Sequence, residues 1–202
     1  FLRFWTMSYV YVGSSSAAQT TVTNSPIYGK VDPPATQSKG IAILSAVEGG
    51  QLQLMQFVDL DVHVGWIEAH PSNGCAYASG GGMVFALSVG DDGSLTPHGE
   101  RVAALGNPAH LTITPDGRWL LVANYSAGTV ASFPIHEDGS IGCAADSKHH
   151  APSKGAPVFS AIEPSLIDRQ ESSHPHQVLV VPHATAAISF YWALVCDLGA
   201  DC

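Results

Sequence analysis

Between residues 107 and 141 the side chains run in short apolar or alternating segments separated by turn-forming residues. Residues 110–114 (HLTIT) alternate apolar with polar, which predicts a half-buried β-strand. Pro115-Asp116-Gly117-Arg118 follows, with Pro to preset φ and Gly to accept a left-handed turn angle. Residues 119–125 (WLLVANY) are almost wholly apolar, as in a strand covered on both faces. Ser126-Ala127-Gly128 turns the chain, residues 129–135 give a third strand, and Glu137-Asp138-Gly139 closes the unit. The stretch reads as a three-stranded antiparallel meander.

The same order of parts occurs upstream, in residues 66–93. Pro71-Ser72-Asn73-Gly74 stands where Pro115-Asp116-Gly117-Arg118 stands later, and Asp91-Asp92-Gly93-Ser94 where Glu137-Asp138-Gly139-Ser140 does. Pro71 to Pro115 is 44 positions, and Gly93 to Gly139 is 46. A period in the forties with about four short strands per unit is the spacing of a β-propeller blade. Paired-helix solenoids share the period but need a 3.6-residue apolar rhythm that this chain lacks. The fold class is therefore all-β, a propeller of antiparallel four-stranded blades, here an incomplete ring of about three to four.

Away from this pair of repeats, residues 9–13 and 40–46 predict strands, and residues 51–60 an outer strand after the Glu48-Gly49-Gly50 turn. Between the first two, residues 14–39 are rich in Ser, Thr and Pro and are expected to form a long exposed loop. Blades are placed at 8–62, 63–106 and 107–146. The pattern then stops, so 147–175 is assigned to an insertion over the rim. Residues 176–182 (HQVLVVP) restart a blade whose second strand is placed at 194–201, within a partial blade at 176–202. Residues 183–192 (HATAAISFYW) look like an intrusion between those two strands, and the Asp-Gly turn expected there is missing.

Composition narrows the class. The chain is 46% hydrophobic and 12% charged, so it is a globular sequence. Eight Lys+Arg against seventeen Asp+Glu give a formal charge of −9, and no basic cluster exists. That speaks against nucleic acid or an anionic membrane surface as partner, while one local Arg still suffices to hold one carboxylate or phosphate. Cys75, Cys143, Cys196 and Cys202 form no CxxC pair and read as isolated thiols of a reducing compartment. Residues 1–7 are too few for a signal-peptide core, and the apolar run 184–195 is far short of the roughly 20 residues that span a bilayer. A cytoplasmic protein without cofactor or metal is the expectation. An open face on the last blade is expected to favour self-association.

In a propeller the first strand of each blade lines the axial channel, so residues at its start face the mouth. Pro108-Ala109-His110-Leu111 aligns with His174-Pro175-His176-Gln177, which places His110 and His176 at matching points of neighbouring blades. Two imidazoles there can pass protons near neutral pH, or simply bond the backbone at a strand start. Arg169 fits a bidentate clamp for an anionic group, or is a surface loop cation. Glu171 can orient a histidine or activate water, or is a solvated rim charge. Asp197 and Asp201 sit at a strand end, where Asx turn capping is the plain alternative to ligand binding. Asn124 and Tyr125 hold the same blade position as Asp197 and Leu198 and read as structural, with Asn124 tying the turn to a neighbouring strand. No nucleophile elbow, P-loop or dinucleotide fingerprint is present.

At ANYSAGTV (residues 123–130), RQESSHPHQV (169–178) and DLGAD (197–201) the chain resembles the seven-bladed propeller lactonases, a family including 6-phosphogluconolactonases of the cycloisomerase type and carboxymuconate cyclases. The likeness runs from about Tyr9 to the C-terminus and fits the N-terminal portion of such a ring. It implies hydrolysis of a sugar-acid lactone, most naturally 6-phosphogluconolactone to 6-phosphogluconate. His174, His176 and Glu171 are then the catalytic candidates; Arg169, His110 and Asp197 contact substrate. A carboxymuconate-type lactonising cycloisomerase and a non-catalytic interaction scaffold are the alternatives.

Overall fold

The computed structural model describes residues 8–13, 39–46, 50–149, 172–184 and 189–199. Among them every regular element is a strand, and all the pairings are antiparallel. They fall into two compact units, residues 1–64 and 65–202.

The first unit holds one sheet, in the order β1 (Ser8–Gly13), β2 (Gly40–Ala46), β3 (Leu52–Asp59). The central strand buries Ile41 and Ile43, and Val58, Leu60 and Val64 are buried as well. Gly40 is required by contact: a Cβ there would stand 1.9 Å from the Val58 carbonyl oxygen.

In the second unit, β4 (Trp66–Ala69), β5 (Cys75–Gly80), β6 (Met83–Val89) and β7 (Leu95–Ala103) form a four-stranded meander. The next meander is β8 (Pro108–Ile113), β9 (Trp119–Asn124), β10 (Thr129–Pro134) and β11 (Asp146–His149). The tandem sheets are the architecture that the 44–46 residue repeat predicts. β11 carries the second meander three residues past position 146.

The repeated turns are built alike. Asp92 Oδ1 accepts the Ser94 N–H at 3.0 Å, and Asp138 Oδ1 accepts the Ser140 N–H at 2.9 Å. Gly93 and Gly139 between them adopt φ of 77° and 88°, where a side chain would be strained. The Asp-Gly-Ser signature thus closes each meander through an Asx bond and a left-handed glycine.

The core of this unit lies between its two four-stranded sheets. Tyr77, Val84 and Ala86 of one face Leu111, Leu120, Val122 and Phe133 of the other, all nearly or fully buried. Each Leu or Phe so buried contributes about 2 kcal/mol. Polar ties cross the same gap. Tyr77 Oη donates to the Gly139 carbonyl at 2.8 Å, His98 Nε2 to Asp138 O at 2.8 Å, and His70 Nε2 to Gly117 O at 2.8 Å.

β12 (Pro175–Ala184) and β13 (Ser189–Asp197) form a hairpin longer than the expected strands at 176–182 and 194–201. Residues 183 and 184 end β12 and residues 189–192 begin β13, in register: Val181 pairs with Trp192, Pro182 with Tyr191, His183 with Phe190 and Ala184 with Ser189. The stretch read as an intrusion is thus largely the far end of the hairpin. The reading by spacing assumed a turn at a fixed distance, whereas two strands can lengthen together without breaking register. Rings stabilise that end, with Phe190 and Trp192 centroids 5.2 Å apart. Leu179, Trp192 and Leu194 remain exposed on the hairpin.

Candidate functional site

Each of β4, β8 and β12 is an edge strand and the first of its sheet, and β8 contacts both of the others. Their side chains bring together Trp66 and Glu68 from β4, His110 and Thr112 from β8, and His176 from β12. Ser173 and His174 join from the segment before β12, and Tyr125 from the end of β9.

His110 is 5% exposed, and its Nδ1 has no hydrogen-bond partner. The Trp66 ring lies against it, with centroids 4.1 Å apart at 41°. Burial, and then the nearby charge of His176, hold the His110 imidazolium below its ordinary range, so the ring is neutral at neutral pH. His176 is exposed, its ring edge-on to Tyr125 at 5.8 Å.

His174 is fixed on several sides. Its ring stacks on Tyr125, centroids 4.5 Å apart and planes 13° apart. Its Nδ1–H donates to the Tyr125 carbonyl at 3.2 Å, and Nε2 lies 3.3 Å from Ser172 Oγ. Asp197 anchors its backbone. Oδ1 accepts the N–H of His174 at 2.7 Å and of Gly199 at 2.9 Å, while Oδ2 accepts the Ser173 hydroxyl. Gly199 is held so close that a Cβ would stand 1.8 Å from the Ser172 carbonyl oxygen.

The match of His110 with His176 needs a one-residue correction. Pro108 pairs with Asn124 and Pro175 with Asp197, so the two prolines are equivalent, as are Asn124 and Asp197. Both strands then carry a bulge, between Pro108 and His110 and between Pro175 and Gln177. His176 is the extra residue of its bulge, matching Ala109, and Gln177 matches His110. A bulge re-aims the side chain it carries. That is why His176 is exposed while His110, back in the ladder, is buried.

Among the expected site residues, His110, His174, His176 and Asp197 are brought into one neighbourhood. Arg169, Glu171 and Asp201 lie outside the described residues. Asn124 is the tie it was expected to be, its Nδ2 donating to Ala104 O at 2.7 Å and to Thr129 Oγ1 at 3.3 Å. Sequence reasoning missed Trp66, Glu68, Thr112 and the stacking role of Tyr125. The available signal was the two-residue alternation of β4 and β8, which sets Trp66 with Glu68, and His110 with Thr112, on common faces. Glu68 Oε1 accepts the Thr112 hydroxyl at 3.1 Å; burial raises the Glu68 pKa, partly offset by this bond.

Among the described residues no group of three or more His, Cys, Asp or Glu side chains could hold a metal ion. A cleft of about 590 Å³ lies against β9, β10 and β13, lined by Leu121, Val130, Ala131 and Val195 among others. None of the site residues above lines it.

Residues 10–202 match the family described as lactonase, 7-bladed beta-propeller. The chain is 33% identical over 109 residues to the 6-phosphogluconolactonase of Pectobacterium carotovorum subsp. carotovorum (strain PC1), covering 52% of this chain and 32% of that protein. It is 28% identical over 125 residues to the 6-phosphogluconolactonase of Bacillus subtilis (strain 168), covering 61% and 31%. It thus spans about a third of the length of these relatives. A solved structure from Bacteroides fragilis NCTC 9343 superposes with a TM-score of 0.65 at 22% identity, over 83% of this chain and 44% of that one. Another from Bacteroides uniformis ATCC 8492 gives 0.58 at 19%, over 80% and 51%. Fold and sequence agree, and the chain belongs to the seven-bladed β-propeller lactonase family.

Proposed function

We propose that the protein opens a sugar-acid lactone with water, with 6-phosphogluconolactone as the substrate and 6-phosphogluconate as the product. The observation that carries this reading is the pairing of an exposed histidine, His176, with a buried neutral one, His110, on adjoining first strands of a lactonase-family chain.

In this mechanism a water oxygen attacks the lactone carbonyl carbon while His176 takes the water proton. His176 is preferred to His174 as the base because both ring nitrogens of His174 already face protein groups. The tetrahedral oxyanion is steadied by a neutral donor such as the His110 N–H, an effect worth about 3 kcal/mol when the donor is prealigned. The intermediate collapses by breaking the bond from the carbonyl carbon to the ring oxygen. The imidazolium returns its proton to that oxygen to leave a hydroxyl, and the new carboxylic acid releases the second water proton to solvent, leaving a carboxylate. Arg169 is assigned to the anionic end of the substrate and Glu171 to orienting the base. Asp197 acts on substrate through the segment it anchors.

Lactone hydrolysis followed by acid release tests this with His176→Ala, His174→Ala and Arg169→Ala. We expect His176→Ala to lower kcat about 100-fold or more, and Arg169→Ala to act mainly on KM. Unchanged rates in all three variants overturn the assignment. A parallel assay of muconate absorbance separates hydrolysis from the lactonising cycloisomerisation, in which a carboxylate oxygen adds to one carbon of a double bond and a proton to the other.

A further inference from the structure

Glu68 has no part in the proton transfers above, yet its carboxylate joins β4 to β8 beside His110. It accepts the Thr112 hydroxyl at 3.1 Å. Trp66 is the residue whose ring rests on His110 at 4.1 Å. Thr112 follows His110 by two positions in the same strand, as Glu68 follows Trp66. Two contacts between β4 and β8 are therefore stacked one step apart, about 7 Å along the strands. One is ring on ring at Trp66 and His110; the other is hydroxyl to carboxylate at Thr112 and Glu68.

We propose that Glu68 is a positioning residue for His110: its bond to Thr112 fastens β4 to β8 one step from the Trp66–His110 contact, and so fixes the plane of the His110 ring. A carboxylate suits this task because both of its oxygens only accept, so either can meet the Thr112 hydroxyl. The groups facing His110 are Trp66 from β4 and His176 from β12, so Glu68 acts at one remove. The effect on catalysis rests on the lactonase reading; the effect on His110 does not.

The test uses the full chain and follows the His110 ring by NMR, its signals identified by their loss in His110→Gln. Glu68→Leu, Glu68→Gln and Thr112→Val are compared after circular dichroism and melting have shown each to be folded. Loosening Trp66 admits water to His110, so the midpoint of its titration rises toward the ordinary histidine value in Glu68→Leu. Thr112→Val, which removes the same bond, raises it too, and Glu68→Gln, which keeps an acceptor oxygen, moves it less. Were Glu68 acting through its charge, removing that charge would lower the midpoint instead. A fall, or no change in any folded variant, overturns the proposal. Should Glu68→Leu fail to fold, the other two substitutions decide.

In the activity arm kcat is expected to drop about 10- to 100-fold in Glu68→Leu, since small misplacements cost on this scale, with KM little changed. If the wild-type chain hydrolyses no lactone, the functional reading fails, and the histidine titration still decides the role of Glu68.

Discussion

Tyr125 holds His174 twice, its ring stacked on the imidazole at 4.5 Å and its carbonyl accepting the Nδ1–H at 3.2 Å. One residue at the end of β9 therefore sets the plane, the tautomer and the position of a histidine 49 positions on. With Nδ1 carrying the proton, Nε2 is the acceptor and faces Ser172 Oγ.

This arrangement separates the ring of Tyr125 from its hydroxyl. Tyr125→Phe keeps both contacts and is expected to match wild type within about 0.5 kcal/mol in urea unfolding. Tyr125→Ala keeps the carbonyl but loses the stack, a contact worth about 1 kcal/mol. It is also expected to lower the kcat of the proposed lactone hydrolysis several-fold, because the segment leading to His176 loses a support. Equal behaviour of the two variants shows that the stack holds nothing.

The same region shows what the sequence could and could not convey. The strands of both meanders were legible because each is a short apolar run bounded by Pro, Asn, Asp or Gly. The place of His110 near the start of a first strand was legible, but its burial against Trp66 was not. The bulges at Ala109 and His176 left no mark, since an extra residue in one strand does not disturb the hydrophobic pattern on either side. The off-by-one match of His110 with His176 came instead from pairing the two histidines rather than Pro108 with Pro175, since equal bulges in both strands leave that alignment unshifted. Glu68 was illegible for another reason. Its partner Thr112 lies 44 positions ahead, and nothing local to a carboxylate on a short strand separates a buried acceptor from a solvated one. The hairpin of β12 and β13 was misjudged because pairing over its full length depends on a partner strand.

The desolvation of His110 makes a prediction about acid. Its folded-state value lies below the ordinary 6.5, through burial first and the charge of His176 second. On acidification the unfolded chain therefore takes up this proton before the folded one does. Stability is lost as the pH falls from about 6.5 toward the folded value, and the loss is complete below it. Urea midpoints measured between about pH 7.5 and pH 5 should fall more steeply for wild type than for His110→Gln, every other histidine being common to both. His176→Gln should flatten the slope less, since it removes only the second cause. Parallel slopes for wild type and His110→Gln contradict the burial of a neutral ring.

Tyr77 offers the sharpest test of how the two four-stranded sheets are joined. It is fully buried; its hydroxyl donates to the Gly139 carbonyl at 2.8 Å and accepts from Asn73 Nδ2 at 3.1 Å. The first bond reaches 62 positions ahead, into the turn that His98 also holds through Asp138 O. Tyr77→Phe leaves the ring packing intact and strips the turn of a buried donor, which should cost about 1–3 kcal/mol. His98→Ala breaks a less buried bond to the same turn and should cost about 1 kcal/mol. Neither residue adjoins the histidine cluster, so kcat and KM below the melting temperature should hold. Burial also raises the Tyr77 phenol to about 12 from an ordinary 10.0. The folded state thus keeps this proton where the unfolded chain has shed it. Stability contributed by Tyr77 is present below pH 10 and drains away as the pH climbs toward 12, a loss that Tyr77→Phe should escape. An alkaline unfolding profile identical in the two proteins would mean that the hydroxyl is not the buried donor between the sheets.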